Sequence, residues 1–330
     1  IRHLTAMRTR PFHQVDVFTA QPYLGNPLAV VLDGCGMDDD QMQQFAHWTG
    51  LSETTFLLPP SPQGAAQGAD YRVRIFTPVA ELPFAGHPTL GSCHAWLAAG
   101  GQPRTPGCAV QECGLGLVQI RQNDGLLAFA APPMQQSEPN PALLALVTGA
   151  LGLRPQQIRA ARVLDNGPRW LALLVDSRDA VLGLQPDHAR LHDLGQDVGV
   201  AYIAPGTSSE GVPNSAVRAF SPSLGTSEDP VTGSLNASLA QWLIGEGLAP
   251  SAYRVAQGEC RGRAGRVHIF QDGDGQVWVG GRCLTAIEGR VHFPSPCKIR
   301  LLSPRFPTLQ PPPGSSTKSF RPRPSTAGLC

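Results

Sequence analysis

The sequence repeats itself once, and that repeat limits the fold more than any other feature. Val73-Arg74-Ile75-Phe76-Thr77-Pro78 returns as Val217-Arg218-Ala219-Phe220-Ser221-Pro222, an offset of 144 residues (218 − 74). Downstream, Gly86-His87 ahead of a helical stretch with Trp96-Leu97 is matched by Gly233-Ser234 ahead of one with Trp242-Leu243. Glu112-Cys113 before Val118-Gln119-Ile120 is echoed by Glu259-Cys260 before Val267-His268-Ile269, an offset of 147 (259 − 112). Three matches in one order at nearly one spacing point to a repeat rather than to chance. The period is far longer than the ~20–50 residues of solenoid repeats. The repeat therefore predicts an α/β (α+β) chain of two homologous, pseudo-symmetric halves, each a sheet with a central helix. A chain of 330 residues has room for two domains of ordinary size.

Local patterns divide the chain accordingly. Phe12–Phe18 alternates apolar with polar residues and reads as a half-buried strand, and Leu28–Leu32 reads as a second. Asp38 caps a helix with Met42, Phe45 and Ala46 on one face and Gly50 at its end. Strands follow at 51–58 and 71–76, the stretch between them reads as a loop, and a helical pattern runs from Thr89 to Ala99. Pro88 suits a first helical turn, where no N–H is needed. Strands near 109–120 and 126–130 complete a first half at 11–134. Residues 135–160 form a connector with one helix, and 161–302 form the second half. Residues 1–10 read as an N-terminal extension, with Met7 as the natural start. The last 28 positions, 303–330, hold seven prolines and four positive residues without an acid. Such a tail buries too little surface to offset its ordering entropy and is expected to be disordered.

Charge and composition exclude several classes. With 26 Lys+Arg against 25 Asp+Glu, the chain carries no field that would draw nucleic acid or an acidic membrane. No apolar run approaches the ~18 residues of a membrane helix, and the N-terminus has no signal-peptide core, so a cytoplasmic location is expected. The eight cysteines show no CxxC pair and read as buried small hydrophobes rather than disulfides. No HExxH, GxGxxG after a strand, GxxxxGK[ST] or GxSxG is present. Neither a metal site nor a nucleotide cofactor is expected.

What remains is a small set of acid–base residues at equivalent places in the two halves. Gly86-His87 and Gly233-Ser234 each open a helix, whose free N–H groups suit a carboxylate or phosphate; ordinary helix capping is the plainer reading. Asp229, at the mouth of the second turn, can share a proton with a substrate or simply cap the helix. Ser234 adds a hydroxyl. Glu53 lies between a helix end and an apolar strand, where desolvation would raise its pKa toward the range of acid–base catalysis; the alternative is a surface glutamate at an edge. His87 has three readings: base, donor or structural group.

Together these segments resemble the PhzF-like family of phenazine biosynthesis, which has the diaminopimelate epimerase fold. The resemblance runs from Phe12 to Pro294. It rests on Val15-Asp-Val-Phe-Thr, Gly25-Asn26-Pro27-Leu28-Ala29-Val30, Leu51-Ser52-Glu53-Thr54-Thr55-Phe56 and Glu81-Leu-Pro-Phe-Ala-Gly-His87-Pro-Thr-Leu-Gly91. Phe76-Thr77-Pro78, Glu228-Asp-Pro-Val-Thr-Gly-Ser234, Gln257-Gly258 and Gly262-Arg263 complete it.

The resemblance implies that Glu53 is the proton carrier and that His87, Asp229 and Ser234 assist, with Gly86 and Gly233 gripping the anion. It implies a homodimer, no cofactor and no metal. It also implies isomerisation of a small carboxylate-bearing metabolite, of the trans-2,3-dihydro-3-hydroxyanthranilate type. The related epimerases use one cysteine at each helix-opening turn. Neither turn here has one, and Cys93, about two turns into the first helix, is expected in the core. The competing expectation is a catalytically silent metabolite-binding or scaffold protein on the same fold, for which Glu53 would be superfluous.

Overall fold

The computed structural model describes residues 7–205, 213–224 and 226–294. The first half begins with the antiparallel strands β1 (Met7–Val17) and β2 (Asn26–Val31). Helix α1 (Asp39–Thr49) then crosses to β3 (Thr54–Leu58), parallel to β2. Its N-cap Asp38 accepts from the Gln41 amide, and Gly50 ends it in the left-handed region at φ 65°. After α2 (Pro62–Ala66), β4 (Tyr71–Phe76) runs antiparallel to β3 and turns back as the short β5 (Glu81–Leu82). Helix α3 (Gly86–Ala98) leads to β6 (Cys108–Cys113), which lies parallel to β4; β7 (Gly116–Asn123) and β8 (Leu126–Ala130) follow as a meander.

The second half retraces this path. After β9 (Gln135–Ser137) and α4 (Pro141–Ala150) come the antiparallel β10 (Ile158–Asp165) and β11 (Arg169–Val175). Helices α5 (Arg178–Leu182) and α6 (His188–Leu194) cross to β12 (Val198–Tyr202), parallel to β11. Strand β13 (Ser215–Ser221) is antiparallel to β12 and turns back as β14 (Thr226–Asp229). Helix α7 (Gly233–Gly245) leads to β15 (Ala252–Gln257), parallel to β13, then to β16 (Gly265–Gln271) and β17 (Val277–Pro294). The registers agree to the residue. Thr54 faces Phe76 in the first half, and Val198 faces Phe220, each 144 positions later, in the second.

The halves are interlaced at their ends. Trp278–Arg282 of β17 pair with β8, and the strand then continues alongside β1 from Cys283 to Pro294. Strand β9, which follows the first half, pairs with β10. The opening strand of each half is thus flanked by a strand that leaves the other. Of the stretch read as an extension, residues 7–10 belong to β1 and the remainder lies outside the described residues, as does the 303–330 tail.

Each half wraps its strands around one buried helix. Every residue from Gly86 to Cys93 of α3 and from Gly233 to Ala240 of α7 is buried. A helix without a polar face over two turns belongs in an interior. Leu90 and Cys93 of α3 and Leu235, Leu239 and Leu243 of α7 share one core with Val30, Ile75, Val217 and Val267.

Several local expectations are refined. Helix α3 starts at Gly86 rather than Thr89, with Pro88 in its first turn. The 109–120 stretch is two strands, because Cys113 pairs with Gly116 around a tight turn, with Gly116 at φ 121°. The segment after Leu58, read as a loop, holds α2, which Ser61 caps by accepting from the Gly64 amide. The Glu-Cys echo is a coincidence of sequence: Glu112 pairs with Arg72 in β6 as Ala256 pairs with Ala216 in β15, so Ala256 is its equivalent, whereas Glu259 and Cys260 form a turn beyond that strand. Counted from the helix starts, Trp242 stands where α3 has Ala95, one residue out of step with Trp96. Trp242 is buried, while Trp96 is half-buried and stacks on Tyr71. Cys93 and Cys113 are buried as expected, but Cys35 and Cys260 are exposed; all six described cysteines are unpaired.

Candidate active site

The two central helices meet end to end. A Cβ built on Gly86 would lie 2.6 Å from the Gly233 backbone and 2.7 Å from the Ser234 nitrogen, and one on Gly233 would lie 2.8 Å from Gly86 Cα. Only glycine permits backbones this close. The repeated glycines bring together two helix N-termini, with their unpaired N–H groups and positive dipole ends. His87 and Ser234, each the second residue of its helix, therefore occupy equivalent places at this junction.

Glu53 lies on the short link between Gly50 and β3, and Asp229 ends β14. All six residues singled out in the sequence, Glu53, Gly86, His87, Asp229, Gly233 and Ser234, line one cavity between the halves. In this shape it holds little more than water-sized bodies.

The electrostatics follow from burial. Glu53, His87 and Asp229 are all at least nine-tenths buried. Burial drives the Glu53 carboxyl well above its ordinary range; the nearby Asp229 carboxylate adds to the rise, and a hydrogen bond with Ser52 opposes it. Burial lowers the His87 imidazole to about 3. Desolvation likewise raises Asp229, to about 6, against the opposing hydrogen bonds from Thr232 and Asn26. His87 Nε2 and Glu53 Oε2 stand 3.5 Å apart, within ion-pair range. Burial penalises the charged form of both, which favours a neutral imidazole facing a carboxylic acid. Neither of these two atoms has a hydrogen-bond partner.

Asp229, by contrast, is anchored. Asn26 Nδ2 donates to its Oδ1 at 2.9 Å and Thr232 Oγ1 to its Oδ2 at 2.6 Å. Asn26 also donates to the Val231 carbonyl, and its Nδ2 lies 3.3 Å from His87 Nδ1. Gln257 Nε2 donates to Thr232 Oγ1, and its Oε1 accepts from the Thr232 amide and from Asn236. This buried polar network was not picked out as part of the site from the sequence, although Asn26 and Gln257 stand inside two of the motifs that carry the family resemblance.

The two halves differ at the positions that matter. Glu53 directly precedes β3, and Asp197, 144 residues later, directly precedes β12. Asp197 is buried too, but its carboxylate accepts from the Ser223 amide at 3.1 Å and the Ser223 hydroxyl at 2.5 Å. Asp229 faces Ala219 in the second half, where the first half has Leu82 facing Ile75. The pseudo-symmetric frame thus holds one carboxyl with an unpartnered oxygen, one anchored carboxylate and one imidazole. Among the described residues no group of three or more His, Cys, Asp or Glu is placed to hold a metal; His188 and His192, four apart on α6, have no third ligand.

Two interlaced halves that meet at their central helices form an epimerase-type fold, and relatives of this chain on that frame are named isomerases. The profile of the phenazine biosynthesis-like proteins, the PhzC-PhzF family, matches residues 15–289, and the chain belongs to that family. It is 34% identical over 293 residues to the trans-2,3-dihydro-3-hydroxyanthranilate isomerase of Pseudomonas aeruginosa, covering 84% of this chain and 98% of that protein. It is 31% identical over 301 residues to antisense-enhancing sequence 1 of Schizosaccharomyces pombe, covering 86% and 99%. A PhzF-family crystal structure from Bacillus anthracis superposes with a TM-score of 0.71 at 22% identity, covering 86% of this chain and 99% of that one. A hydroxyproline epimerase from Agrobacterium vitis shares the fold at a TM-score of 0.57 and 15% identity, covering 90% and 95%. No helix among the described residues is long and apolar enough to cross a membrane.

Proposed function

We propose that this chain is a cofactor-independent isomerase that moves a proton between carbons of a small carboxylate-bearing metabolite, with Glu53 as the carrier. The observation that carries this reading is the Glu53 carboxyl itself. It is buried, its Oε2 has no partner, and it faces His87 across 3.5 Å in the cleft between two helix N-termini. A buried group left without a partner costs about 1–3 kcal/mol, more when charged, and a bound substrate relieves that cost.

Glu53 in its acid form gives a proton to one substrate carbon and takes one from another, ending as it began. No electrons are exchanged and no other reactant is consumed. His87 orients the substrate beside Glu53, and Asp229, fixed by Asn26 and Thr232, supplies the charge that keeps the Glu53 proton count poised. Ser234, with the first-turn N–H groups at Gly86 and Gly233, holds the substrate anion.

The relatives named trans-2,3-dihydro-3-hydroxyanthranilate isomerase suggest that compound, or a similar unsaturated ring acid, as the class of substrate. A homodimer in the cytoplasm is part of the same reading, and light scattering tests the assembly.

Incubating the protein with trans-2,3-dihydro-3-hydroxyanthranilate in D2O and following the ring protons by NMR tests the chemistry. Isomerisation with deuterium at the newly protonated carbon is expected from the wild type. Glu53→Gln is expected to lose at least the ~10²–10⁴-fold that a positioned acid–base group contributes, while retaining ligand binding. Near-normal turnover by Glu53→Gln would remove Glu53 from the mechanism.

A further inference from the structure

The buried network beside the cleft does more than anchor Asp229. Asn26, the first residue of β2, lies at its centre and is fully buried. Three acceptor-capable atoms surround its Nδ2: Asp229 Oδ1 and the Val231 carbonyl oxygen at 2.9 Å, and His87 Nδ1 at 3.3 Å. A backbone carbonyl can only accept, so the nitrogen end of this amide belongs on the side of Val231 and His87. Its oxygen accepts from Ser52 Oγ at 3.4 Å, which fits the same orientation. The groups around Asn26 thus fix which way its amide is turned.

That orientation bears on which nitrogen of His87 carries hydrogen. An amide nitrogen has hydrogens to give and no lone pair with which to accept. A hydrogen on Nδ1 would face it without an acceptor, and among the described residues Nδ1 has no other hydrogen-bond partner. The imidazole is buried, and burial favours its neutral form. A neutral ring has a single N–H, and the bond made by one nitrogen sets the state of the other. Nε2, 3.5 Å from Glu53 Oε2, is left to carry it. The second half has no such pair. Three residues before Leu171, as Asn26 is three before Ala29, stands Pro168, and the place of His87 belongs to Ser234.

We propose that Asn26 is a positioning residue that holds His87 as the Nε2–H tautomer, so that the imidazole meets Glu53 as a hydrogen-bond donor and not as a base. The tautomer stands on the network alone, and the donor's part in turnover rests on the isomerase reading. Once Glu53 has given its proton to a substrate carbon, its Oε2 is a buried carboxylate oxygen that lacks a partner. Nε2–H is placed to meet it, and hydrogen bonds to carboxylates are among the stronger kinds. A neutral imidazole N–H is too weak an acid to pass its hydrogen on. Glu53 therefore regains its proton from the second substrate carbon, whose C–H bond breaks as the carboxyl O–H forms.

Protein labelled with 15N-histidine reads the tautomer directly. Two-bond proton–nitrogen correlation at neutral pH separates a protonated ring nitrogen from a bare one, and the His87 signals are those missing from His87→Gln. The wild type is expected to show Nε2 protonated and Nδ1 bare. Asn26→Asp puts an acceptor where the amide gave hydrogens, so Nδ1 is expected to gain a proton. Where that variant does not fold, Asn26→Leu is expected to show both tautomers. Glutamine can bring an amide N–H to the place of Nε2, asparagine only to that of Nδ1. His87→Gln is therefore expected to turn over about ten- to hundredfold faster than His87→Asn, the range of a hydrogen bond to a charged group.

A protonated Nδ1 in the wild type overturns the proposal. So does an unaltered tautomer in the Asn26 variant, whatever its rate, because a merely structural Asn26 would slow the enzyme and leave the ring as it was. Equal rates of His87→Gln and His87→Asn remove the donor role. Failure of the larger reading looks different. An Nε2–H tautomer that answers to Asn26, in a protein that exchanges no deuterium, sinks the isomerase and keeps the pair. An Nδ1–H tautomer with normal exchange does the reverse.

Discussion

The repeat supplies an internal control for one calculation, because the same ion pair occurs once in each half at different depths. In the first half Arg74 Nε and Nη2 donate to the two oxygens of Glu81 at 2.7 and 2.6 Å. In the second, Arg218 donates through the same two nitrogens to Glu228, at 2.9 Å each. Arg218 and Glu228 are 6% and 5% exposed, whereas Arg74 and Glu81 are 16% and 42% exposed. Removing one partner of a buried pair leaves an uncompensated charge, at a cost of about 3–5 kcal/mol; an exposed pair is worth roughly 0.2–1 kcal/mol.

Arg218 also donates to the Leu184 carbonyl at 3.0 Å, which softens the loss, and Gln retains one acceptor. Arg74 keeps Asp39 at 2.7 Å. Glu228→Gln is therefore expected to cost about 3 kcal/mol and Glu81→Gln less than about 1 kcal/mol, a ratio of at least three. Urea unfolding of both variants and the wild type in one buffer measures it. Because Glu228 immediately precedes Asp229, turnover well below the melting temperature should also fall in Glu228→Gln and hold in Glu81→Gln. Equal destabilisation of the two variants would refute the argument from burial.

The remaining expectations concern the cleft. Burial pushes Asp229 from 3.8 up to about 6, so between these values the folded chain holds a proton that the unfolded chain has released. Its contribution to stability is therefore lost as pH rises from 3.8 through about 6, and Asp229→Asn should lack that loss; parallel unfolding profiles for the two proteins from pH 4 to 7 would contradict it. His87 runs the other way: with its pKa lowered to about 3, it favours the fold above 6.5 and that contribution is lost as pH falls below 6.5. NMR of its ring nitrogens should show a neutral imidazole without titration from pH 5 to 8. Gly86→Ala puts a methyl 2.6 Å from the facing backbone, which must retreat about 0.8 Å to reach ordinary contact at 3.4 Å. Overpacking of this kind costs about 1–3 kcal/mol, and a shift approaching 1 Å at His87 and Ser234 costs about 10²-fold in rate. Wild-type kinetics in this variant would show that the helix junction is not what sets the geometry.

What the sequence disclosed and what it withheld have different physical origins. The repeat was legible because strand register and helix starts are fixed by local composition: Arg-x-Phe before Ser/Thr-Pro, and glycine where two backbones touch. The same signals placed Gly86, His87, Gly233 and Ser234 at helix starts, and the structure brings them to one cavity with Glu53 and Asp229. The Glu-Cys and Trp echoes misled because a match in residue type carries no register, and a slip of one on a helix turns a side chain by about 100°.

The contrast between Glu53 and Asp197 makes the same point about chemistry. Both are acids just before the third strand of their half, both are buried, and burial raises both. The sequence gives no reason to prefer either as a proton carrier beyond the motif around Glu53. The structure does, through the neighbours of each side chain. Ser223 supplies Asp197 with two hydrogen bonds that favour its charged form and occupy its lone pairs, so it has little to offer a substrate. Glu53 has no such anchor on Oε2, and the Asp229 carboxylate pushes its pKa further upward. The two halves thus hold equivalent acid positions with different partners: Asp197 is tied into the scaffold, and Glu53 keeps one oxygen without a partner.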